Sequence, residues 1–314
     1  IAKMLNAPGL PAGFSPRPPT MADAPAVLAL MNARDIADYG EPDSELEDFI
    51  YDWEEADLQH DGWLIEGPDS SLAAYGLVQT WSGGIDIECY AHPDVPQIGL
   101  QAYLLDQAER RARALLAGTA AVLPVARAFV NHGDAATGDA FVTAGYHVKK
   151  YHFRMQIDQT EPPPEPVWPT GCQLRTLRAG EDDQAIFRFI QKAFDQPGRT
   201  PPTFDEWRNF MMRPDHFLPD LWFLLTCDEE IVGAAVCYDY QPYGWVRHLA
   251  VDQRLRRQGI GTSLLQHVFG VFYRRGQMRV ALGVDAANES AYRLYEQAGM
   301  QRARQFDEYH KPLG

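Results

Sequence analysis

Apolar and polar positions along this chain switch between a period near two and a period near 3.6, and the order of the switches occurs twice. The first pass opens on Phe14–Pro19, which reads as an edge strand running into a turn because proline is tolerated at sheet edges and ends. A helix is predicted from Met21 to Tyr39, with Asp23 near its start and Val27, Leu28, Leu30 and Met31 among its apolar positions. An acidic helix over Ser44–Ala56 sets Leu46, Phe49, Ile50 and Trp53 on one side. Strands follow at Gly62–Glu66, Ala73–Thr80 and Ile85–Ala91, then Gly99 and a helix through Leu104, Leu105 and Ala108. A strand at Ala121–Val130, a short helix near Ala135–Ala144 and a terminal strand pair ending near Ile157 complete the set.

The segment Asp158–Thr170 is rich in proline, which removes backbone donors and favours extended polyproline II, so it is expected to act as a semi-rigid linker. Beyond it the pattern returns: strand Gln173–Arg178, helix Asp182–Phe194, a helical stretch at Phe204–Met212, and strands Leu221–Thr226 and Ile231–Tyr238. A turn at Gln241–Gly244 leads to strand Trp245–Val251, a glycine loop, a helix to about Tyr273, strand Met278–Val284, a helix after Asn288 and a last strand through Tyr309. The repetition implies an α/β (α+β) protein of two tandem domains, 1–157 and 171–314 with the linker 158–170 between them, each a mixed sheet flanked by helices.

Composition narrows the classes. With 314 residues there is enough chain for two cores, and 46% hydrophobic content is that of an ordinary globular protein. A formal net charge of -15 opposes nucleic acid and anionic membrane as general partners and suits a cationic amine, although it equally serves solubility. Cys89, Cys172, Cys227 and Cys237 form no C-x-x-C pair, which fits reduced thiols, no metal site and a cytoplasmic location. No run approaches membrane-spanning length, and Ile1–Gly13 lacks the features of a signal peptide.

The chemistry concentrates in Val246-Arg247-His248-Leu249-Ala250-Val251 and the loop Arg256-Arg257-Gln258-Gly259-Ile260-Gly261-Thr262. Strand, cationic glycine loop and helix start in that order can hold an anion, because the first helical N–H groups lack partners and the helix dipole is positive there. The loop lacks the Gly-Lys-Ser/Thr ending of a P-loop and the spacing of a dinucleotide fingerprint. It does resemble the Arg/Gln-x-x-Gly-x-Gly/Ala loop of the GNAT superfamily of N-acetyltransferases. Downstream, Asn288-Glu289-Ser290-Ala291-Tyr292-Arg293-Leu294-Tyr295-Glu296-Gln297-Ala298-Gly299-Met300 is similar to that family's second signature.

The resemblance implies acetyl-CoA as donor, with its pyrophosphate on the Arg257–Thr262 amides, reinforced by Arg256, and its arm along the backbone of Leu249, Ala250 and Val251 beside Asn288. It further implies the Leu249 N–H as the oxyanion donor and Tyr295 as the general acid for the departing thiolate. The family's usual glutamate base is missing, since Trp245 occupies its place. His248, Asp239, Glu308, His310, a relayed water or an amine arriving neutral are the alternatives. Regular alternation would put His248 on the face opposite Trp245, Arg247 and Leu249. The aromatic group Tyr238, Tyr240, Tyr243 and Trp245, with Asp239, could line a cationic acceptor pocket or simply pack a hairpin.

Matching Gly145 to Gly299, an offset of 154 residues, sets Phe141 against Tyr295 and Asp134 against Asn288. In the loop, Gly99 matches Gly259, while Pro96 stands for Arg256 and Gln101 for Gly261. The first copy is therefore expected to be catalytically silent. The implied activity is direct acetyl transfer to a primary amine of a small molecule by a monomer or homodimer. The alternatives are protein N-terminal acetylation and a non-catalytic acyl-CoA-binding or scaffolding role. Tandem architecture is shared with mycothiol synthases, though the missing glutamate departs from them.

Overall fold

The structure, a computed structural model, describes residues 9–44, 46–81, 84–95, 99–117, 125–195, 201–213 and 216–313. The chain divides into two compact units, Ile1–Tyr151 with Arg304–Gly314, and His152–Ala303.

In chain order the first set of elements is β1 (Ser15–Arg17), α1 (Ala24–Tyr39), α2 (Leu46–Glu54), α3 (Leu58–Asp61), β2 (Gly62–Glu66), β3 (Leu72–Trp81), β4 (Gly84–Ala91), α4 (Leu100–Leu116), β5 (Val125–Asn131), α5 (Ala135–Thr143) and β6 (His147–Asp158). The second set is β7 (Cys172–Thr176), α6 (Asp183–Ala193), α7 (Phe204–Met211), β8 (Trp222–Cys227), β9 (Glu230–Asp239), β10 (Gly244–Val251), α8 (Ile260–Arg274), β11 (Arg279–Asp285), α9 (Glu289–Gln297) and β12 (Gln301–Pro312). These match the elements predicted from periodicity to within a few residues, except that the short helix α3 has no counterpart among them and two other expectations differ. The expected pair of strands before Ile157 is the single strand β6, and positions 121–124 of the expected strand lie outside the described residues.

In the first unit β1 to β4 are antiparallel neighbours, and β4 runs parallel to β5. β4 alternates without a break, burying Ile85, Ile87, Cys89 and Ala91. One face of this sheet packs Leu104, Leu105 and Ala108 of α4 and Phe141 of α5; the other packs Val27 and Met31 of α1 with Phe49 and Trp53 of α2. The second unit repeats the plan: β7 to β10 are antiparallel neighbours and β10 runs parallel to β11. Here α8 and α9 cover one face, and Ile186, Ile190, Trp207 and Met211 of α6 and α7 cover the other. Cover on both faces explains why β8 and β9 read as nearly continuous apolar runs.

The domain boundaries need correction. In the first unit the neighbour of β5 is the end of the chain, Phe306–Pro312 of β12, and in the second unit the neighbour of β11 is His152–Asp158 of β6. The two registers coincide after the 154-residue offset, Val125↔Pro312 corresponding to Arg279↔Asp158. Each unit thus takes its last strand from the other half of the sequence. Alternation tells a strand which face to bury but not which edge to join, so the sequence could not reveal this.

The proline-rich segment is not a free spacer either. Asp158 pairs with Arg279 at 2.7 Å, the Gln159 N–H donates to Met278 O and its Nε2 to Phe269 O. Further along, Ser263 Oγ both accepts from Val167 N and donates to Val167 O, which lays this stretch along α8.

The thiols are also not all reduced. Cys172 and Cys227, opposite one another in the β7–β8 register, form a disulfide, while Cys89 and Cys237 are free and buried, their thiol pKa pushed up by burial. Among the described residues no helix is long and apolar enough to cross a membrane.

Candidate functional site

The site in the second unit begins where two parallel strands part. β10 and β11 are matched only at Gly244↔Val280, Trp245↔Ala281 and Val246↔Leu282, although β10 continues to Val251. On its other side β10 stays paired with β9 to Val251↔Gly233, and Asp252 N donates to Val232 O. Antiparallel pairing alternates, so Ala250 and His248 turn their backbone groups toward β9, and Leu249 and Val251 turn theirs into the gap beside β11. The Val251 carbonyl accepts from Arg256 Nε at 3.2 Å. Of the three backbone positions expected to face an extended ligand, Ala250 is therefore withdrawn.

The loop that follows is fixed at its root. Asp252 accepts from Arg254 N at 2.9 Å and from Arg254 Nε at 3.0 Å, and this guanidinium holds the Asp252 carboxyl down at about 2. Arg257 and Gly259 both have left-handed backbone, φ 64° and 82°, which curls the chain so that successive N–H groups converge. A Cβ at Gly259 would meet nothing within 4 Å, so its surroundings are open, whereas one at Gly261 would come 3.0 Å from Leu294 Cδ2. Gly261 therefore lets α8 and α9 approach. The first bond within α8 is Ser263 N to Gly259 O, so the N–H groups of Ile260, Gly261 and Thr262 precede the helical ladder. Arg256, Arg257 and Gln258 are exposed, while the Ile260 side chain is buried in the core.

α9 brings the second signature to this core. Asn288 caps it, its Oδ1 accepting from Ala291 N at 3.2 Å and from Ser290 Oγ at 3.1 Å. Tyr295 is 8% exposed, and burial pushes its phenol up to about 12, so it carries its proton throughout the neutral range. Its hydroxyl has no hydrogen-bond partner among the described residues.

On the face covered by α6 and α7, expectation and structure differ. The β9–β10 register shifts between Val246 and His248, leaving Arg247 as an extra residue. Both Arg247 and His248 consequently point to this face: the Arg247 guanidinium lies 5.5 Å from the Phe210 ring of α7, and the His248 ring 5.2 Å from Phe194 at the end of α6. Trp245 packs there too, so His248 shares its side instead of opposing it. The aromatic group already has a cation: Arg154 lies 5.4 Å from the Tyr243 ring and 5.1 Å from Trp245. No sequence signal pointed to Arg154, which arrives with the exchanged strand β6. Asp239 is bound by Arg275, Gln277 and the Gln241 N–H. Glu308 and His310 bond each other at 2.6 Å and belong to the first unit.

The corresponding place in the first unit is lined by different side chains. Gln101 is buried and its Nε2 donates to Thr137 Oγ1 at 3.4 Å; Thr137 Oγ1 in turn donates to Asp134 Oδ2 at 2.7 Å. Phe141 is fully buried against Tyr146 and Tyr309. Between α4 and α5 lies a cavity of about 460 Å³, but Asp106, Glu109 and Asp139 line it with Lys311 as the single cation among the described residues. Such a lining disfavours a pyrophosphate. Pro96 lies outside the described residues.

A sheet parted between two parallel strands, with a bare-amide loop entering the helix beyond it, is the architecture of the GNAT acyltransferase fold. The acetyltransferase (GNAT) family model matches residues 184–300, inside the second unit. A mycothiol acetyltransferase of Salinispora tropica is 33% identical over 237 residues, 68% of this chain and 74% of that protein. Another, of Acidothermus cellulolyticus, is 30% identical over 188 residues, 54% of this chain and 57% of its own length, so the match spans little more than half of that relative. Among solved structures, a GCN5-related N-acetyltransferase from Sphaerobacter thermophilus superposes with a TM-score of 0.86 at 32% identity, covering 97% of each chain. This chain belongs to the GNAT family of acetyltransferases.

Proposed function

We propose that the second unit transfers an acetyl group from acetyl-CoA to a primary amine of a small molecule by direct attack, and that the first unit is catalytically silent. The observation that carries this reading is the gap beyond Val246, where the Leu249 and Val251 backbone groups face away from β9. It runs on to the N–H groups of Ile260, Gly261 and Thr262, which precede the helical ladder. The residues fit the donor: anionic phosphates suit the curled loop and helix start, with Arg256 and Arg257 adding formal charge, and an extended arm suits a strand edge. When bound, acetyl-CoA supplies the activated thioester.

Each protein group then has one task. The Leu249 N–H, aimed into the gap, stabilises negative charge on the reacting carbonyl oxygen. Tyr295, whose raised pKa keeps it protonated, delivers a proton to the leaving sulfur. Asn288 spends its oxygen on the α9 cap and keeps its Nδ2 for the donor arm. In the first unit the Gln101 side chain and the Asp134 carboxylate stand where these groups would need bare amides and a neutral amide, and Phe141 has no proton to give.

The test is calorimetry with coenzyme A followed by free-thiol release from acetyl-CoA with a panel of amines. Binding with amine-dependent release is expected. Binding without release for every amine would instead favour an acyl-CoA-binding role, and no binding by folded protein would end the proposal.

A further inference from the structure

The face of β10 that α6 and α7 cover carries an arginine close to Leu249, although the chain as a whole carries a formal net charge of -15. Arg247 is the residue that the β-bulge inserts, two positions before Leu249 on the same strand, and its guanidinium rests over Phe210, itself 52% exposed. Among the described residues no carboxylate pairs with it. Arg154 lies over Tyr243 and Trp245 on this face, and Arg213 and Arg247 are both within electrostatic reach of the Tyr238 hydroxyl. Three acids of the neighbouring elements are engaged elsewhere: Asp183 with Arg208, Glu206 with the Thr203 cap, and Asp239 with Arg275 and Gln277. A polyamine or polycationic aminoglycoside would meet the like charge of Arg247 here, and the aromatic rings that could have attracted it already hold Arg154.

We infer that Arg247 selects the acceptor by binding an anionic group, so that the substrate is an amine that also carries a carboxylate or phosphate close to its nitrogen. Arg247 and Leu249 are two positions apart on the strand, roughly 6–7 Å of backbone, which places the anion only a few bonds from the attacking amine. A guanidinium is suited to either anion because its fork matches both in a bidentate pair. The inference rests on the transferase reading above and deepens it by naming the acceptor class.

The experiment compares matched pairs on the whole 314-residue chain with saturating acetyl-CoA: glycine against glycinamide, and ethanolamine phosphate against ethanolamine. The quantity read is the acid-over-neutral ratio of kcat/KM in Arg247→Gln divided by that in the wild type, so differences in amine basicity cancel. A fall of about tenfold or more, carried by KM, is expected from loss of a charge-assisted contact, with partial rescue in Arg247→Lys and coenzyme A affinity retained as the check on folding. Whichever pair responds identifies the anion. An unchanged ratio in both pairs, or a wild type that turns over only the neutral members, overturns the inference. If no amine is acetylated although coenzyme A binds, the transferase reading fails. The anion site is then judged by calorimetry of glycine and ethanolamine phosphate on the coenzyme A complex: heat lost in Arg247→Gln supports it, and no heat in the wild type rejects it.

Discussion

Both units part their parallel strands after three matched residues, Gly84–Asp86 against Val125–Arg127 in the first and Gly244–Val246 against Val280–Leu282 in the second. Both start the next helix from a left-handed glycine with open space where a Cβ would be, Gly99 and Gly259. What separates them is local. β4 pairs with β3 through all its residues, while β10 carries a bulge at Arg247. Gln101, Asp134 and Phe141 occupy the places of Gly261, Asn288 and Tyr295. A fold can thus keep its parted strands and left-handed glycine while a few side chains change what lines the opening.

The largest expected effect concerns the exchanged strands. Removing Arg304–Gly314 takes from the first unit the partner of β5 and Arg304, whose buried guanidinium donates to Glu41 O and Pro42 O and lies 3.4 Å from Asp43. An unpaired inner strand edge and an emptied charge site should unfold that unit while coenzyme A binding by the second survives. Limited proteolysis read by mass spectrometry tests this, and protection of the first unit equal to that of the intact chain would break the picture.

Next, Tyr295→Phe places the first unit's residue type at the position proposed as the second unit's acid. It should lower kcat by about 100-fold, the scale of general acid catalysis, and leave the coenzyme A dissociation constant near its original value. Full retention of kcat would remove Tyr295 from the chemistry.

Gly261→Gln copies Gln101 into the loop, where a Cβ already meets Leu294 at 3.0 Å. Losing one charge-assisted amide contact costs roughly 1.5–3 kcal/mol, so calorimetry should find coenzyme A affinity weakened about tenfold to a hundredfold. An unweakened variant would show that the bare helix start is not what distinguishes the units.

The smallest effect is confined to the first unit. Burial raises the Asp35 carboxyl from 3.8 to about 6, against the opposing hydrogen bond from Asn131. With the folded pKa above the unfolded one, its stabilising contribution is full below about pH 4 and lost as the pH passes 6. Asp35→Asn should therefore reduce the loss of stability between pH 4 and pH 7.5 by roughly 2–3 kcal/mol. Urea unfolding at the two pH values reads this, and an equal difference between wild type and variant at both would reject it.

Much of this was legible before any coordinates. The apolar periods predicted the helices and strands, because burial on one face imposes a period whatever the partner is. Gly259 and Gly261 announced a helix start with bare amides, since only glycine leaves it uncovered. Less legible was the phase of β10. A bulge adds one residue without altering composition, so regular alternation sent His248 to the wrong face and gave Arg247 no reason to stand out. Arg154 could not be connected to Trp245 at all, because the two meet only after a strand joins an edge remote from it in sequence. The disulfide was hidden in the same way, since Cys172 and Cys227 are 55 residues apart and become neighbours through strand register.

By itself, then, the sequence determined the two-fold repeat, the elements of each copy and the loop chemistry that sets the second copy apart, because these depend on residue type and local spacing. Only the tertiary structure decided which strand closes each sheet, which backbone groups face the gap and which charges lie on the face that α6 and α7 cover. Those depend on edge pairing and on register, and a strand's own alternation specifies neither.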